Sequence, residues 1–279
     1  MTGRRYPQSW GYAACWLLLI CQVLPVASAW SEAWPRGEGR LFSASKVEYL
    51  QSDAYWDADG KRHDLDDPFR KLSLEQYLEY GLTDKDTITA KFIYDVLDDG
   101  TQENSGLEDI ELGYHRALYQ QGNWALSTGL KALVPSGYSP ADLPQLGYSR
   151  FGLEPFMAAG VGWTTQGKSG YAEGVMRYRW YAGYPSDQLR ASIIIGQDLS
   201  QSLQLLLESE LQWGLKNGSP NQIDATTTLD SSYRLCKITL YGRVRMTEKV
   251  SLLLSGFQSV WGENTGIGQG LAVSLWLEF

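Results

Sequence analysis

The sequence contains few cysteines and few histidines. Cysteine occurs three times and histidine twice among 279 residues. Cys15 and Cys21 lie in an N-terminal stretch that we expect to be removed, so Cys236 would remain alone and could form no intramolecular disulfide. The chain also has no cysteine pair in its remaining part, no H-E-x-x-H motif and no nucleophile-elbow pattern. We therefore predict that the protein is not an enzyme and has no metal site and no cofactor.

Long apolar runs are missing after residue 29. A membrane-spanning helix needs about 20 consecutive apolar residues, so a helical inner-membrane protein is excluded. The apolar run near the N-terminus, from Tyr12 to Val26, follows Arg4 and Arg5 and leads into Ala27-Ser28-Ala29. A charged region, an apolar region and small residues in that order are typical of a secretory signal peptide. We predict a signal peptide over residues 1–29.

Cationic residues are fewer than acidic residues. The 24 lysines and arginines stand against 32 aspartates and glutamates, so the formal net charge is −8. Loss of the signal peptide would make the chain more acidic, because it removes Arg4 and Arg5 and no carboxylate. An acidic chain argues against nucleic acid as a partner.

Alternation of apolar and polar residues is the strongest pattern present, and it is clearest in Ile267–Phe279. Every second residue from Leu271 to Phe279 is apolar and points to one face of an extended strand. The opposite face carries small and polar residues and Trp276. A soluble edge strand of this kind invites aggregation, whereas an outer-membrane barrel turns the apolar face to lipid. We expect the barrel-assembly machinery to recognise this strand, which ends at Phe279.

Eleven further segments alternate in the same way, after a lead-in over residues 30–40 that we expect in the periplasm. They predict an all-β fold, a transmembrane antiparallel up-and-down β-barrel of twelve strands over residues 41–279. The predicted strands cover about 41–51, 70–81, 86–97, 107–118, 123–134, 149–164, 170–182, 188–197, 203–215, 233–246, 249–261 and 267–279.

The connections between these strands alternate between short and long. Short ones are expected at 82–85, 119–122 and 165–169, and long ones at 52–69 and 135–148. Short periplasmic turns and long outer loops are typical of outer-membrane barrels. A soluble β-sandwich also alternates apolar and polar residues, but it gives no reason for alternating loop lengths. We therefore expect the chain in the outer membrane of a Gram-negative bacterium, surrounded by lipid.

The polar faces carry interleaved charges that suit a hydrated lumen. Barrels of about eight strands are filled by side chains and those of about sixteen leave an open channel, so twelve strands predict a narrow or gated passage. The charges could equally form a salt-bridge network that fills the barrel. The lumen-lining candidates are Lys71, Glu75, Tyr77, Lys91, Asp95, Glu111, His115, Lys131, Arg150, Glu154, Glu173, Arg177, Arg179, Glu208, Glu210, Lys237, Tyr241, Arg243 and Trp276.

Three short motifs resemble those of a family of proteobacterial outer-membrane barrels named for the meta-cleavage pathway of phenol degradation. They are Pro35-Arg36-Gly37-Glu38-Gly39, Glu79-Tyr80-Gly81-Leu82-Thr83-Asp84 and Asn264-Thr265-Gly266. The resemblance implies passage of small, aromatic or apolar solutes. Some barrels similar to these are linked to exopolysaccharide production. We therefore expect either a channel for small solutes or a structural barrel for polysaccharide export or adhesion.

Overall fold

The computed structural model describes residues 31–139, 141–219, 221–222, 228–229 and 231–279. The predicted signal peptide lies outside these residues. Among them, no helix is long and apolar enough to cross a membrane. The strands are β1 (Leu41–Trp56), β2 (Arg62–Gly81), β3 (Asp86–Asp98), β4 (Glu103–Leu107), β5 (Ile110–Gln121), β6 (Trp124–Val134), β7 (Gly152–Thr165), β8 (Lys168–Tyr181), β9 (Gln188–Asp198), β10 (Leu203–Gly214), β11 (Asn221–Gln222), β12 (Thr228–Leu229), β13 (Arg234–Arg245), β14 (Val250–Glu263) and β15 (Thr265–Glu278).

The described strands other than β11 and β12 close into one antiparallel barrel. Each pairs with its neighbour along the chain, and β1 closes the circle by pairing with β15 from Phe42↔Glu278 to Trp56↔Thr265. Strands β4 and β5 both pair with β3 and form one wall element, interrupted at Glu108 and Asp109. The described residues thus form a closed barrel of twelve wall elements, as the alternation predicts.

The exterior of the barrel is apolar. Leu207, Leu240 and Leu254 lie near the middle of their strands and are 51%, 56% and 57% exposed, which in water would be unfavourable. Two belts of outward-facing aromatic residues flank this region, as in outer-membrane barrels. One belt lies at the end with the short turns, which we call the periplasmic end, and the other at the opposite, outer end. Their members are Tyr80, Tyr114, Trp124 and Phe279, and Tyr49, Tyr94, Phe151, Trp180 and Trp213, respectively.

The first hairpin is longer than the sequence predicts. Residues 52–69 are not a loop: β1 and β2 stay paired as far as Trp56↔Arg62. The turn is closed by Asp57, whose carboxylate accepts the amides of Asp59 and Lys61 at 2.9 Å each. A hydrogen bond from His63 lowers the pKa of Asp57. The alternation is lost in β2, where Arg62, His63 and Asp64 are all exposed, so both faces of this strand meet water.

Other outer connections also contain paired residues. Strand β4 occupies part of the predicted loop 98–106, and β11 pairs with β12 within the predicted loop 216–232. The predicted connection 262–266 shrinks to Asn264, which adopts a φ of 50°. Asparagine tolerates this left-handed conformation better than most residues.

The first described residues of the lead-in lie inside the barrel, whereas Glu38, Gly39 and Arg40 are exposed. Ser31, Glu32 and Ala33 are buried inside the barrel, where they contact residues of β6 and β8. Arg36 reaches Glu79 of β2 near the periplasmic end. We call Ser31–Arg36 the plug segment. Its composition predicts a loose strand-free segment, but its barrel partners lie 43 to 145 residues away along the chain and leave no local pattern.

The orientation of the barrel faces predicts the effect of a charge on the exterior. Leu240 lies in the middle of β13 and faces outward. An arginine in hydrocarbon costs about 2–4 kcal/mol at the midplane of a membrane barrel and about 0–1 kcal/mol near the interface. We expect Leu240→Arg to lower the free energy of unfolding by about 2–4 kcal/mol, measured by urea titration in lipid vesicles. Met246→Arg, beyond the periplasmic end of β13, is the control, and equal losses would contradict the orientation.

Candidate functional site

The outer half of the barrel encloses a cavity of about 710 Å³. Its wall is built from inward-facing residues of the barrel strands, because every second side chain of each strand points to the lumen. Most of these side chains are charged. The wall carries both cations and carboxylates, so the cavity is polar in a barrel whose exterior is apolar.

A buried carboxylate, Glu154 of β7, organises one side of the wall. Its side chain is fully buried and contacts three guanidinium groups. Arg190 of β9 lies 3.2 Å away, Arg177 of β8 lies 3.8 Å away, and Arg179 of β8 is in direct contact. Arg179 also reaches Glu111 of β5 at 2.7 Å. Hydrogen-bonded ion pairs of this kind are needed because an unpaired buried charge costs several kcal/mol.

The opposite side of the wall is more acidic. Lys46 of β1 lies 3.2 Å from both Glu48 and Glu75. Glu208 accepts a hydrogen bond of 2.6 Å from the Tyr241 hydroxyl. The cavity therefore has an arginine-rich side on β8 and β9 and a carboxylate-rich side on β1 and β2. Strand β10, which pairs with β9, adds Glu208 and Glu210 to the wall beside the arginines.

The plug segment forms the floor of the cavity. The Glu32 carboxylate lies 2.7 Å from Lys131 Nζ and 3.1 Å from Arg177 Nη2. Glu173 of β8 accepts the amide of Ala33 at 3.0 Å and also the hydroxyl of Ser31. The segment is thus held by side chains of the barrel rather than by a strand ladder.

Apolar side chains fill the lumen below this floor. One cluster joins Ala33 to Ala125, Phe156, Ala158 and Val175. In the same layer, the Trp34 ring lies so close to Gly160 that a Cβ there would come within 2.1 Å of it. A second cluster consists of Phe42, Ala44, Leu253 and Trp276. Among the described residues, packed apolar groups therefore occupy much of the periplasmic half of the lumen.

The loop between β6 and β7 folds over the outer mouth of the cavity. Leu146 of this loop is buried, and Tyr148 makes edge-to-face contacts with Tyr181 and Tyr184 at 5.3 and 5.7 Å between ring centroids. Tyr138 anchors the loop by donating to Asp109 at 2.7 Å. Burial raises the pKa of Tyr138, with a further contribution from the hydrogen bond to Asp109, so its hydroxyl stays protonated and donates.

Thirteen of the nineteen lumen-lining candidates lie on the cavity wall, although their role toward a solute stays a prediction. Asp95 is buried behind Lys71, 2.6 Å away. Four other candidates, including His115 and Glu173, lie below the wall, and Arg150 precedes β7 at the outer end. The wall contains Lys71, Glu75, Tyr77, Lys91, Glu111, Lys131, Glu154, Arg177, Arg179, Glu208, Glu210, Lys237 and Tyr241, and the residues below it are His115, Glu173, Arg243 and Trp276.

The candidate set misses several residues of the wall. Lys46, Glu48 and Arg190 follow the same alternation as the residues chosen, so the same signal could have found them. Glu32 and Tyr148 come from segments without alternation, and no local signal marks them.

No protein-family model and no curated protein sequence matches the chain. Among solved structures, an outer-membrane channel from Pseudomonas putida F1 matches with a TM-score of 0.71 at 17% identity, covering 88% of this chain and 98% of the channel. The NanC porin matches with a TM-score of 0.52 at 9% identity, covering 85% of this chain and 98% of the porin. The chain has the fold of an outer-membrane β-barrel. Its apolar exterior contacts lipid in the outer membrane of a Gram-negative bacterium.

The arginine-rich side of the cavity predicts a large effect of removing Glu154. Glu154→Gln would leave Arg177, Arg179 and Arg190 facing one another without their shared carboxylate, at a cost of about 3–5 kcal/mol. Urea titration should show this loss, and reversal potentials in a salt gradient should shift toward anion selectivity. Glu48→Gln is the control: because Lys46 keeps Glu75, we expect a loss below about 1 kcal/mol. A smaller loss for Glu154→Gln than for this control would contradict the assignment.

Proposed function

We propose that the protein is an outer-membrane channel for small solutes. The observation that carries the proposal is the charged cavity inside a closed barrel, roofed by a loop and floored by the plug segment. Hydrated, charged walls lower the cost of moving a polar or charged solute through the apolar bilayer, because the solute keeps hydrogen-bonding partners on the way. The similarity to an outer-membrane channel supports the same proposal.

The wall favours solutes that combine a charged group with an aromatic or apolar body. Tyr77, Tyr241 and Phe257 lie on the same wall as the lysines and arginines. Aromatic side chains offer flat surfaces for rings and for apolar groups, while cationic side chains bind carboxylates. This composition accommodates the aromatic solutes that the family resemblance implies, provided that they carry a polar group.

Passage requires the plug segment to move. Trp34 and Ala33 close the periplasmic half by packing, and Glu32 ties the segment to the wall. We propose that the segment swings aside or rearranges when a solute passes, while the strands keep their hydrogen-bonded pairing.

A structural barrel is the second candidate function. The apolar packing around Phe156 and Trp276 favours it, since a barrel that only anchors surface assembly, for example in polysaccharide export or adhesion, has no need of an open lumen. Absence of conductance in every variant with a displaced plug segment would favour this candidate.

We also propose that the barrel-assembly machinery recognises β15. The last residue, Phe279, is 62% exposed on the exterior, and it exchanges two hydrogen bonds with Leu41, of 2.9 and 3.2 Å. Before the barrel closes, this terminal strand presents an unpaired edge, which is a template for pairing with another chain.

The contact between Gly160 and Trp34 provides a test of the channel. Gly160→Val fills the space that the Trp34 ring occupies, so the plug segment must leave its seat. We expect single-channel conductance in planar bilayers to rise severalfold over the unsubstituted protein. Gly242→Val adds the same group where a Cβ would meet nothing within 4 Å, and we expect it to leave conductance unchanged.

Deletion of residues 31–36 extends the same test without relying on one contact. If neither Gly160→Val nor the deletion conducts, and both are folded by heat-modifiable mobility on gels, the channel proposal is wrong and the structural barrel stands.

A further inference from the structure

The Glu32 carboxylate is bound in the manner of a ligand. One of its oxygens, Oε1, lies 2.7 Å from Lys131 Nζ, and the other, Oε2, lies 3.1 Å from Arg177 Nη2. Each oxygen therefore has its own cationic donor, on two different strands of the barrel. Charge-assisted hydrogen bonds of this length are the stronger class of hydrogen bond in proteins.

The wall around Glu32 is cationic without it. Five cationic side chains of β3, β6, β8 and β9 converge there, and among the described residues two barrel carboxylates, Glu111 and Glu154, form ion pairs with them. The cations are Lys91, Lys131, Arg177, Arg179 and Arg190. Glu32 supplies further negative charge from outside the barrel strands. The barrel wall by itself is thus built to hold an anion.

A neighbouring carboxylate binds donors of the same segment. Glu173 accepts the amides of Glu32 and Ala33 at 3.3 and 3.0 Å and the hydroxyl of Ser31. The barrel therefore grips a carboxylate and, close to it in the chain, N–H and O–H donors. The same pair of features occurs in small molecules that carry a carboxylate beside an amino or hydroxyl group.

The position of Glu32 makes it replaceable. Its segment forms no strand, and side chains hold it in place. Glu32, Lys131 and Arg177 all line the floor of the cavity, so a solute that enters from the outer mouth reaches the same donors.

We propose that Lys131 and Arg177 form a carboxylate-binding site in the lumen, which Glu32 occupies as an internal ligand and which a carboxylate-bearing solute occupies in its place. The proposal rests on the proposed function for the access of solutes. To the channel proposal it adds that the solute carries a carboxylate and that Glu32 competes with the solute for the site.

Competition by Glu32 has a measurable consequence. A tethered group acts at a high effective concentration, on the order of millimolar or more, and the apparent affinity for a free ligand falls with the fraction of sites left open. Removing the Glu32 carboxylate should therefore tighten binding of a free dicarboxylate at least about tenfold.

The test is isothermal titration of succinate into the folded protein in detergent micelles. We expect Glu32→Ala to bind succinate at least about tenfold more tightly than the unsubstituted protein. Adding Lys131→Met to Glu32→Ala should reverse that gain. Adding Lys168→Met to Glu32→Ala is the matched control, because Lys168 is an exposed cation at the start of β8 and lies outside the cavity wall, and it should change affinity less than about twofold. Succinamide, which is neutral, should not bind.

Two results would overturn the proposal: succinate binding that Glu32→Ala does not tighten, or tightened binding that Lys131→Met does not reverse. If Glu32→Ala does not fold, Glu32→Gln keeps the volume and removes the charge, and the same comparison decides. Equilibrium binding requires no passage through the barrel. If the protein binds succinate in this way but never conducts, the channel proposal is wrong and the carboxylate site stands. If it conducts but does not bind succinate in this way, the carboxylate site is wrong and the channel proposal stands.

Discussion

The pairing of β1 with β15 is the constraint on which the rest of the structure depends. Within hydrocarbon, a backbone N–H or C=O group without a partner costs several kcal/mol, so a sheet can cross a membrane only if it has no free edge. Thirteen residue pairs join β1 to β15, from Phe42↔Glu278 to Trp56↔Thr265, and remove that edge. Once the sheet is closed, the alternation of side chains assigns one set to lipid and the other to the lumen, and no strand can slip by one residue without exchanging them.

Closure also creates the problem that the lumen has to solve. Eight strands can be filled by their own side chains, and sixteen or more leave an open channel, so a barrel of twelve strands encloses an intermediate space. The protein fills the periplasmic half by adding a segment from outside the sheet, with Trp34 and Ala33 packed against β7 and β8. In the outer half, long charged side chains span the space in pairs and leave the cavity between them.

Alternation predicts the fold well where the two faces of a strand meet different media, and it fails where they do not. It correctly places Val47 and Tyr49 outside and Lys46 inside. It misses the outer part of β2, since Arg62, His63 and Asp64 are all exposed and neither face is under selection to be apolar. Alternation also predicts which face of a strand a residue lies on, but not what surrounds the residue there. Glu111 and His115 lie on the same face of β5. Glu111 lines the cavity, whereas His115 is only 1% exposed and packs against Phe156. The site of Glu32 depends on partners distant in sequence, which no local pattern can report.

Two of the interactions that hold the plug segment respond differently to conditions. The contact of Trp34 with Gly160 and its neighbours is apolar and is insensitive to salt or to charged solutes. The pairing of Glu32 with Lys131 and Arg177 is electrostatic, so dissolved ions and carboxylates compete with it directly. The packing of Trp34 and Ala33 fixes the position of the segment in the lumen. The ion pairs of Glu32, which faces the cavity, are the contacts that a charged solute in the cavity can weaken. A segment held by packing alone would offer a dissolved carboxylate no site to compete for, whereas the pairs of Glu32 with Lys131 and Arg177 offer one.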